Sequence, residues 1–193
     1  MRKPLLIATF FTLLCLLFPL LANAEPLGFR KPRTTFALGI EVFDAMLGDF
    51  GAASDVGMSI FAETTLQIGG YYGLHVRFGS ARAFTNKDFL PFDEGYQFIY
   101  LVGAPRFNFA PLRKQMLIFY VQPEIELQVL VSNTLVKITG NDTTTGAAGG
   151  SIGIQYIIGV FSISGQASCR YNWNLDSLFV GGTISVGISN VIN

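Results

Sequence analysis

The alternation of apolar and polar side chains is clearest near the C-terminus, from Phe161 to Trp173. Its odd positions are apolar or small, and its even positions are polar (Ser162, Ser164, Gln166, Ser168, Arg170 and Asn172). Successive side chains of a β-strand point to opposite faces, so this stretch predicts a strand with one apolar and one polar face. It is longer than the usual soluble strand, and aromatic residues stand at both ends of the apolar face. The pattern is typical of a strand that crosses a bilayer, with lipid on one side and a polar lumen on the other.

The same alternation recurs along the chain and predicts seven further strands. They cover about Thr35–Met46, Val56–Gln67, Tyr71–Gly79, Tyr96–Phe109, Met116–Val129, Ser151–Ile158 and Leu178–Ser189. Pro105 lacks a ladder donor and predicts a bulge in the fourth strand. Residues 131–150 include the low-complexity segment Gly140–Gly150 and predict a mobile loop. Within them, Thr134–Thr139 either extends the fifth strand or adds a strand to the sheet, which leaves ten strands as the alternative to eight.

The connections between these strands alternate in length. The first, third, fifth and seventh connections are mostly longer and polar, and the second, fourth and sixth are short. With an even number of strands, this order places both termini on one side of the membrane. We therefore predict an all-β fold, a transmembrane antiparallel up-and-down barrel with long extracellular loops and short periplasmic turns. Closure of the barrel also leaves none of the apolar strands with an exposed edge.

The first 24 residues read as a secretory signal peptide. Arg2 and Lys3 supply the charged start, Leu5–Leu21 the apolar segment, and Ala22-Asn23-Ala24 a small-x-small cleavage site before Glu25. The predicted organisation is therefore a signal peptide over 1–24, a short periplasmic leader over 25–34, and the barrel over 35–193. No other apolar run is long enough for a membrane-spanning helix.

Composition changes slightly once the signal peptide is removed. The loss of Arg2 and Lys3 leaves 11 basic and 13 acidic residues, a formal net charge of −2, so no excess of positive charge remains to attract nucleic acid. Cys15 leaves with the same segment, and Cys169 then has no partner for an internal disulfide. On the lipid face, Cys169 reads as a small apolar residue.

This strand pattern resembles the small eight-stranded outer-membrane barrels, the OmpA/OmpX-like class that includes the OmpW-like and PagP/PagL-like proteins. The resemblance implies residence in the outer membrane of a Gram-negative cell, surrounded by lipid and lipopolysaccharide. It also implies the barrel-assembly machinery as a partner and a monomeric state. We expect no cofactor and no nucleic-acid partner, and the ligand of the loops is not indicated.

Charged residues recur on the predicted inner face, where they are Glu41, Glu63, His75, Arg77, Arg106, Glu124, Glu126 and Arg170. An eight-stranded barrel is just wide enough for side chains to fill it, so charges there must pair. We predict a structural salt-bridge network in two layers. The outer layer joins Glu124 or Glu126 to Arg77 or Arg170, and the periplasmic layer joins Glu63 to Arg106. Glu41 and His75 are expected between the layers.

Three functions remain compatible with this pattern. The first is a structural or surface-interaction role through the loops at 47–55, 80–95 and 131–150. The second is a narrow pore or an OmpW-like conduit for small or apolar solutes, for which inward glycines leave room. The third, a lipid A-modifying enzyme, is the least favoured, because PagL-like enzymes carry His and Ser two positions apart on the lipid face. Here His75 faces inward and position 77 is arginine, so we expect no catalytic, cofactor or metal-binding residue.

Overall fold

The computed structural model describes residues 32–46, 54–68, 71–85, 96–109, 117–131 and 143–192. The predicted signal peptide, most of the leader and Thr134–Thr139 lie outside these ranges. Eight strands follow one another, namely β1 (Arg33–Ala45), β2 (Ser54–Ile68), β3 (Tyr72–Thr85), β4 (Tyr96–Phe109), β5 (Leu117–Leu130), β6 (Thr144–Ile158), β7 (Phe161–Asn172) and β8 (Ser177–Val191). Among the described residues, no helix is long and apolar enough to cross a membrane.

Each strand pairs with the next in antiparallel fashion, and β8 pairs with β1, so the sheet is a closed barrel. The predicted fold class is confirmed. We call the end where β1 begins and β8 ends the terminal end, and the opposite end the loop end. The short connections after β2, β4 and β6 lie at the terminal end, and the remaining connections lie at the loop end.

The hydrogen-bond register is staggered, so a path that follows paired residues round the barrel returns to β1 at a different residue. Starting from Phe36 on β1, it returns to β1 at Met46, ten residues further along, by way of Thr64, Val76, Gly103, Ile125, Ala148, Tyr171 and Leu178. Such a stagger requires strongly tilted strands and leaves an interior that side chains can fill.

The predicted division into two faces is also confirmed. On β1, the side chain of Leu38 is 71% exposed on the outer face, whereas that of Glu41, three residues further along, is 1% exposed in the lumen. On β7 the even positions are buried or partly buried, as the alternation from Phe161 predicted. The strand register therefore follows from the requirement that one face be apolar.

Aromatic side chains mark both ends of the apolar outer face. At the terminal end the outward-facing rings are Tyr72, Phe107, Phe109, Phe119, Tyr156 and Phe161. Tyr72 packs edge-on against Phe107 at 5.7 Å, and Phe109 stacks on Phe119 at 6.4 Å between ring centroids. Tyr171 and Trp173 face outward at the loop end. Aromatic girdles of this kind flank the lipid-facing band of outer-membrane barrels.

Two strands are longer than the sequence pattern predicted. β3 continues past Gly79 to Thr85, and β6 begins at Thr144 instead of Ser151. In β6, Gly146 lies under the Trp173 ring and Gly149 lies against the backbone of Cys169 and Arg170, so neither position has room for a Cβ. The close approach of these neighbours requires glycine at both positions. The sequence of this segment therefore shows no alternation of apolar and polar residues, although the segment is a strand. The prediction of a loop over Thr144–Gly150 was therefore wrong.

The predicted bulge at Pro105 is also wrong. β4 keeps one register with β3 through this residue, and its pairing with β5 has the same register at Gly103–Ile125 and at Phe107–Val121. A register shift occurs elsewhere, between β2 and β3 near Ser54–Gly57. The constant register places Pro105 directly opposite Pro123.

Candidate functional site

All eight charged residues predicted for the lumen lie on its inner face. Seven are buried, and Glu63 is partly buried. They come from β1 (Glu41), β2 (Glu63), β3 (His75, Arg77), β4 (Arg106), β5 (Glu124, Glu126) and β7 (Arg170). The strands thus deliver charges from most of the circumference into one narrow space.

Arg170 is the centre of the first cluster. Its Nη2 contacts Oε1 of Glu41, and its Nη1 lies 2.5 Å from Oε2 of Glu126. Ser168 donates to the same Glu41 oxygen at 3.2 Å, and Gln128 donates to Glu126 Oε1 at 2.7 Å. One guanidinium therefore joins β1, β5 and β7 across the lumen.

Glu63 is the centre of the second cluster. Arg77 donates to its Oε2 from Nε at 3.2 Å and from Nη2 at 3.0 Å, and Ser185 donates to its Oε1 at 2.6 Å. The Arg77 guanidinium also lies 4.3 Å from the centre of the Phe61 ring. Glu63 and Arg77 are direct cross-strand partners, so the register itself creates this ion pair.

The pairing differs from the prediction at Glu63 and at Glu41. Glu63 meets Arg77 and not Arg106, and Glu41 joins the Arg170 cluster instead of lying between two layers. The error has a geometric cause, since β3 extends six residues beyond its predicted end. Arg77 then lies near the middle of its strand, level with Glu63.

Arg106 is buried without an acidic partner among the described residues. Its guanidinium lies 3.7 Å from the centre of the Tyr120 ring, and it donates to Asn108 Oδ1 at 2.8 Å and to Gln155 Oε1 at 2.6 Å. The Tyr120 hydroxyl in turn donates to Gln166 Oε1 at 3.1 Å. A cation–π contact and two amides therefore replace the expected carboxylate.

Glu124, too, has no arginine partner in the part of the chain that the structure describes. Its Oε1 accepts hydrogen bonds from Ser151 Oγ at 2.6 Å and from Gln122 Nε2 at 3.3 Å. Its Oε2 is buried without a hydrogen-bond partner in the structure, as is Oε1 of Gln122.

An apolar layer closes the lumen on the loop side of Arg170. Phe43, Phe98 and Phe179 contact one another with ring centroids 5.7–6.4 Å apart, and we call these three residues the aromatic cap. Buried Leu130 and Leu175 belong to the same cluster. The alternation of side chains did not predict the cap, because the three rings come from β1, β4 and β8 and meet only through the stagger of the barrel.

Little space remains between the cap and the Arg170 cluster. A cavity bounded by Glu41, Tyr100, Glu126, Arg170 and the cap leaves about 10 Å³ for the centre of a water molecule. That is room for about one water. The lumen is filled at two successive levels, one ionic and one aromatic.

His75 lies between the hydroxyl of Thr65 and the carboxylate of Glu63, and hydrolases use the same arrangement of hydroxyl, imidazole and carboxylate. Its Nδ1 is 3.0 Å from Thr65 Oγ1, but its Nε2 is 3.7 Å from Glu63 Oε2, and Arg77 holds that oxygen. His75 and Thr65 are only 2% and 4% exposed. A nucleophile needs its base within hydrogen-bond reach and an open approach for the substrate, and Thr65 has no such approach through the packed lumen. In the described part of the chain, no three His, Cys, Asp or Glu side chains converge as a metal site.

Comparison with known proteins shows which fold the chain has but assigns it to no family. No protein-family model matches the chain, and no curated protein sequence matches it. Neisserial surface protein A is structurally similar, with a TM-score of 0.57 and 11% sequence identity over 83% of this chain and 97% of that one. The attachment invasion locus protein Ail of Yersinia pestis gives a TM-score of 0.51 and 12% identity over 83% of this chain and 99% of Ail. The chain has the closed eight-stranded fold of the small outer-membrane barrels.

Proposed function

We propose that this protein resides in the outer membrane of a Gram-negative cell as a monomeric barrel with a closed lumen. It works as a structural or surface-interaction protein through its loop end. The outer face supports the membrane position, since Leu38, Ile60 and Ile125 are about 70% exposed there between the two aromatic girdles. A continuous apolar band of this size is unstable in water and suited to lipid.

The double closure of the lumen carries the functional part of the proposal. An ion or solute that entered from the terminal end would have to displace Arg170 from two carboxylates and then part the aromatic cap. Both steps break buried interactions, and removal of one member of a buried ion pair alone typically costs about 3–5 kcal/mol. The closed lumen therefore favours a function at the loop end over the passage of a solute through the barrel.

Conductance in planar bilayers tests the closed lumen against the conduit alternative. We expect the purified barrel to give no regular current steps. Reproducible steps from the unmodified protein, abolished by heat unfolding, would favour the conduit.

The sequence of the loop-end connections indicates the chemistry of a surface partner. Residues 47–53, 86–95 and 132–142 contain five acidic and two basic side chains. Ail of Yersinia pestis has been solved with sucrose octasulfate, a heparin analogue. The acidic excess of this chain disfavours such a polyanion and favours a basic or neutral partner.

Binding of the barrel in lipid nanodiscs to immobilised heparin and to immobilised polylysine tests this preference. We expect salt-sensitive retention on polylysine only, weakened when Asp88, Asp93 and Glu94 are replaced by their amides. Salt-sensitive binding to heparin would contradict the proposal. A lipid A mass spectrum unchanged by expression of the protein is expected as well, because His75 has no access to lipid.

A further inference from the structure

The hydrogen-bond ladder of the barrel wall is interrupted between β4 and β5. Pairing reaches Gly103–Ile125 from one side and Phe107–Val121 from the other, with Pro105 opposite Pro123 in the interval. We call this interval, residues 103–107 and 121–125, the β4–β5 seam. Its outward surface is open at Gly103, because no atom of another strand lies within 4 Å of a Cβ position built there.

The phase of the ladder shows that both prolines lie where a hydrogen bond is needed. Val131 donates to Gln97 of β4 at 2.9 Å, whereas Leu130 donates to Thr143 on the other side. Odd residues of β5 therefore direct their N–H groups toward β4, and Pro123 is one of them. Asn108 donates to Tyr71 of the β3 side at 2.7 Å, so odd residues of β4, including Pro105, direct theirs toward β5. Proline has no N–H, and the pair loses both of its ladder bonds.

Two backbone carbonyls are thereby left without their ladder donors. The nearest ladder pairs lie four residues apart, a span of about 13 Å along the strands. An unsatisfied backbone group in the hydrocarbon region costs several kcal/mol, because lipid tails supply no donor. The seam therefore needs donors from elsewhere.

The lumen side of the seam has the same deficit. Gln122 and Glu124 flank Pro123, are 0% and 2% exposed, and have Oε1 and Oε2, respectively, buried without a partner. Arg106, the adjacent cation on β4, is bound to Asn108 and Gln155 further toward the terminal end. The seam thus has two carbonyl oxygens without ladder donors in the wall, and an amide oxygen and a carboxylate oxygen without donors behind it in the lumen.

We propose that the β4–β5 seam binds the polar end of a membrane amphiphile that donates hydrogen bonds, a primary ammonium best and a hydroxyl group less well. The carbonyls of Pro105 and Pro123, which lie in the wall itself, accept these bonds. The hydrocarbon tail lies along the open outer surface at Gly103. Pro105 is two residues from Phe107 of the terminal-end girdle, so the polar end enters from the adjacent membrane interface.

Amide NMR spectra of the folded barrel in lipid nanodiscs test the proposal with four probes. These are dodecylammonium, dodecanol, dodecyltrimethylammonium, which has charge but no donor, and dodecyl sulfate. We expect saturable shifts confined to the seam for dodecylammonium, weaker ones for dodecanol, and none for the other two. Equal shifts for both cations, shifts spread round the barrel, or no response to dodecylammonium would overturn the proposal.

Variants identify the groups that bind. Pro105→Val with Pro123→Val restores both N–H donors and should weaken dodecylammonium binding by about tenfold or more. Leu101→Val, which changes the outer face away from the seam, is the matched control and should bind normally. If the double variant fails to fold, Pro123→Val alone, which restores one of the two donors, decides, and unchanged binding contradicts the assignment. A barrel that does not enter nanodiscs counts against the membrane proposal, whereas a folded barrel without a probe response counts only against the seam.

Discussion

At the scale of single residues, the two buried arginines Arg170 and Arg106 are held in different ways. Arg170 neutralises two carboxylates, whereas Arg106 rests on a tyrosine ring and two amides. The inward position of both followed from strand alternation alone. Their partners did not, because pairing depends on the height of each residue in a staggered barrel.

Replacing each arginine with methionine keeps most of its volume and removes its charge. Arg170→Met leaves Glu41 and Glu126 without a cation and should destabilise the barrel by about 3–5 kcal/mol, less if water enters. Arg106→Met removes no counter-ion from a carboxylate and should cost less, about 1–3 kcal/mol for lost hydrogen bonds and the cation–π contact. Urea unfolding in detergent measures both. Equal losses of unfolding free energy in the two variants would mean that the contribution of Arg170 to stability does not come from its pairing with the carboxylates.

At the scale of strands, alternation located all eight elements but failed at the ends of two. β1 and β7 show apolar and polar faces in their own sequences. The start of β6 does not, because its glycines fit against Trp173 and against the β7 backbone, which only the folded sheet brings near. The sequence predicted a disturbance at Pro105 but not its pairing with Pro123, because that pairing depends on the register between β4 and β5.

Gly146→Ala tests the packing that hid this part of β6. A methyl group there overlaps the Trp173 ring and should destabilise the barrel by about 1–3 kcal/mol. Trp173 is the sole tryptophan of the chain, so its fluorescence reports the displacement directly. Gly103→Ala, at a glycine with open space, is the control and should leave both stability and emission unchanged. An unaltered spectrum for Gly146→Ala would contradict the packing of Trp173 over Gly146.

The register of β5 is tested by a pair of neighbouring residues. Leu127 faces lipid, and a lysine there should cost about 2–4 kcal/mol near the bilayer centre. Gln128 faces the lumen and lies 2.7 Å from Glu126, so its lysine variant gains a carboxylate partner and should cost less. Unfolding in lipid vesicles compares the two. Equal costs would indicate a register slip, which exchanges the faces.

At the scale of the whole molecule, the lumen has two barriers in series. Removal of one should leave the other closed, so Phe98→Ala and Arg170→Ala alone should remain without regular conductance. The combined variant should give current steps in planar bilayers. Steps from either single variant would show that one barrier does not seal the lumen by itself.

The Arg170–Glu41 contact has a further consequence for the order of folding. Its two residues are 129 positions apart, on the first strand and on the seventh. They can meet only after almost the whole sheet has formed and its ends have come together. Contacts absent from the folding transition state act mainly on the rate of unfolding. The ion pair is therefore a latch that forms last, and its loss should shorten the lifetime of the closed barrel far more than it slows its formation.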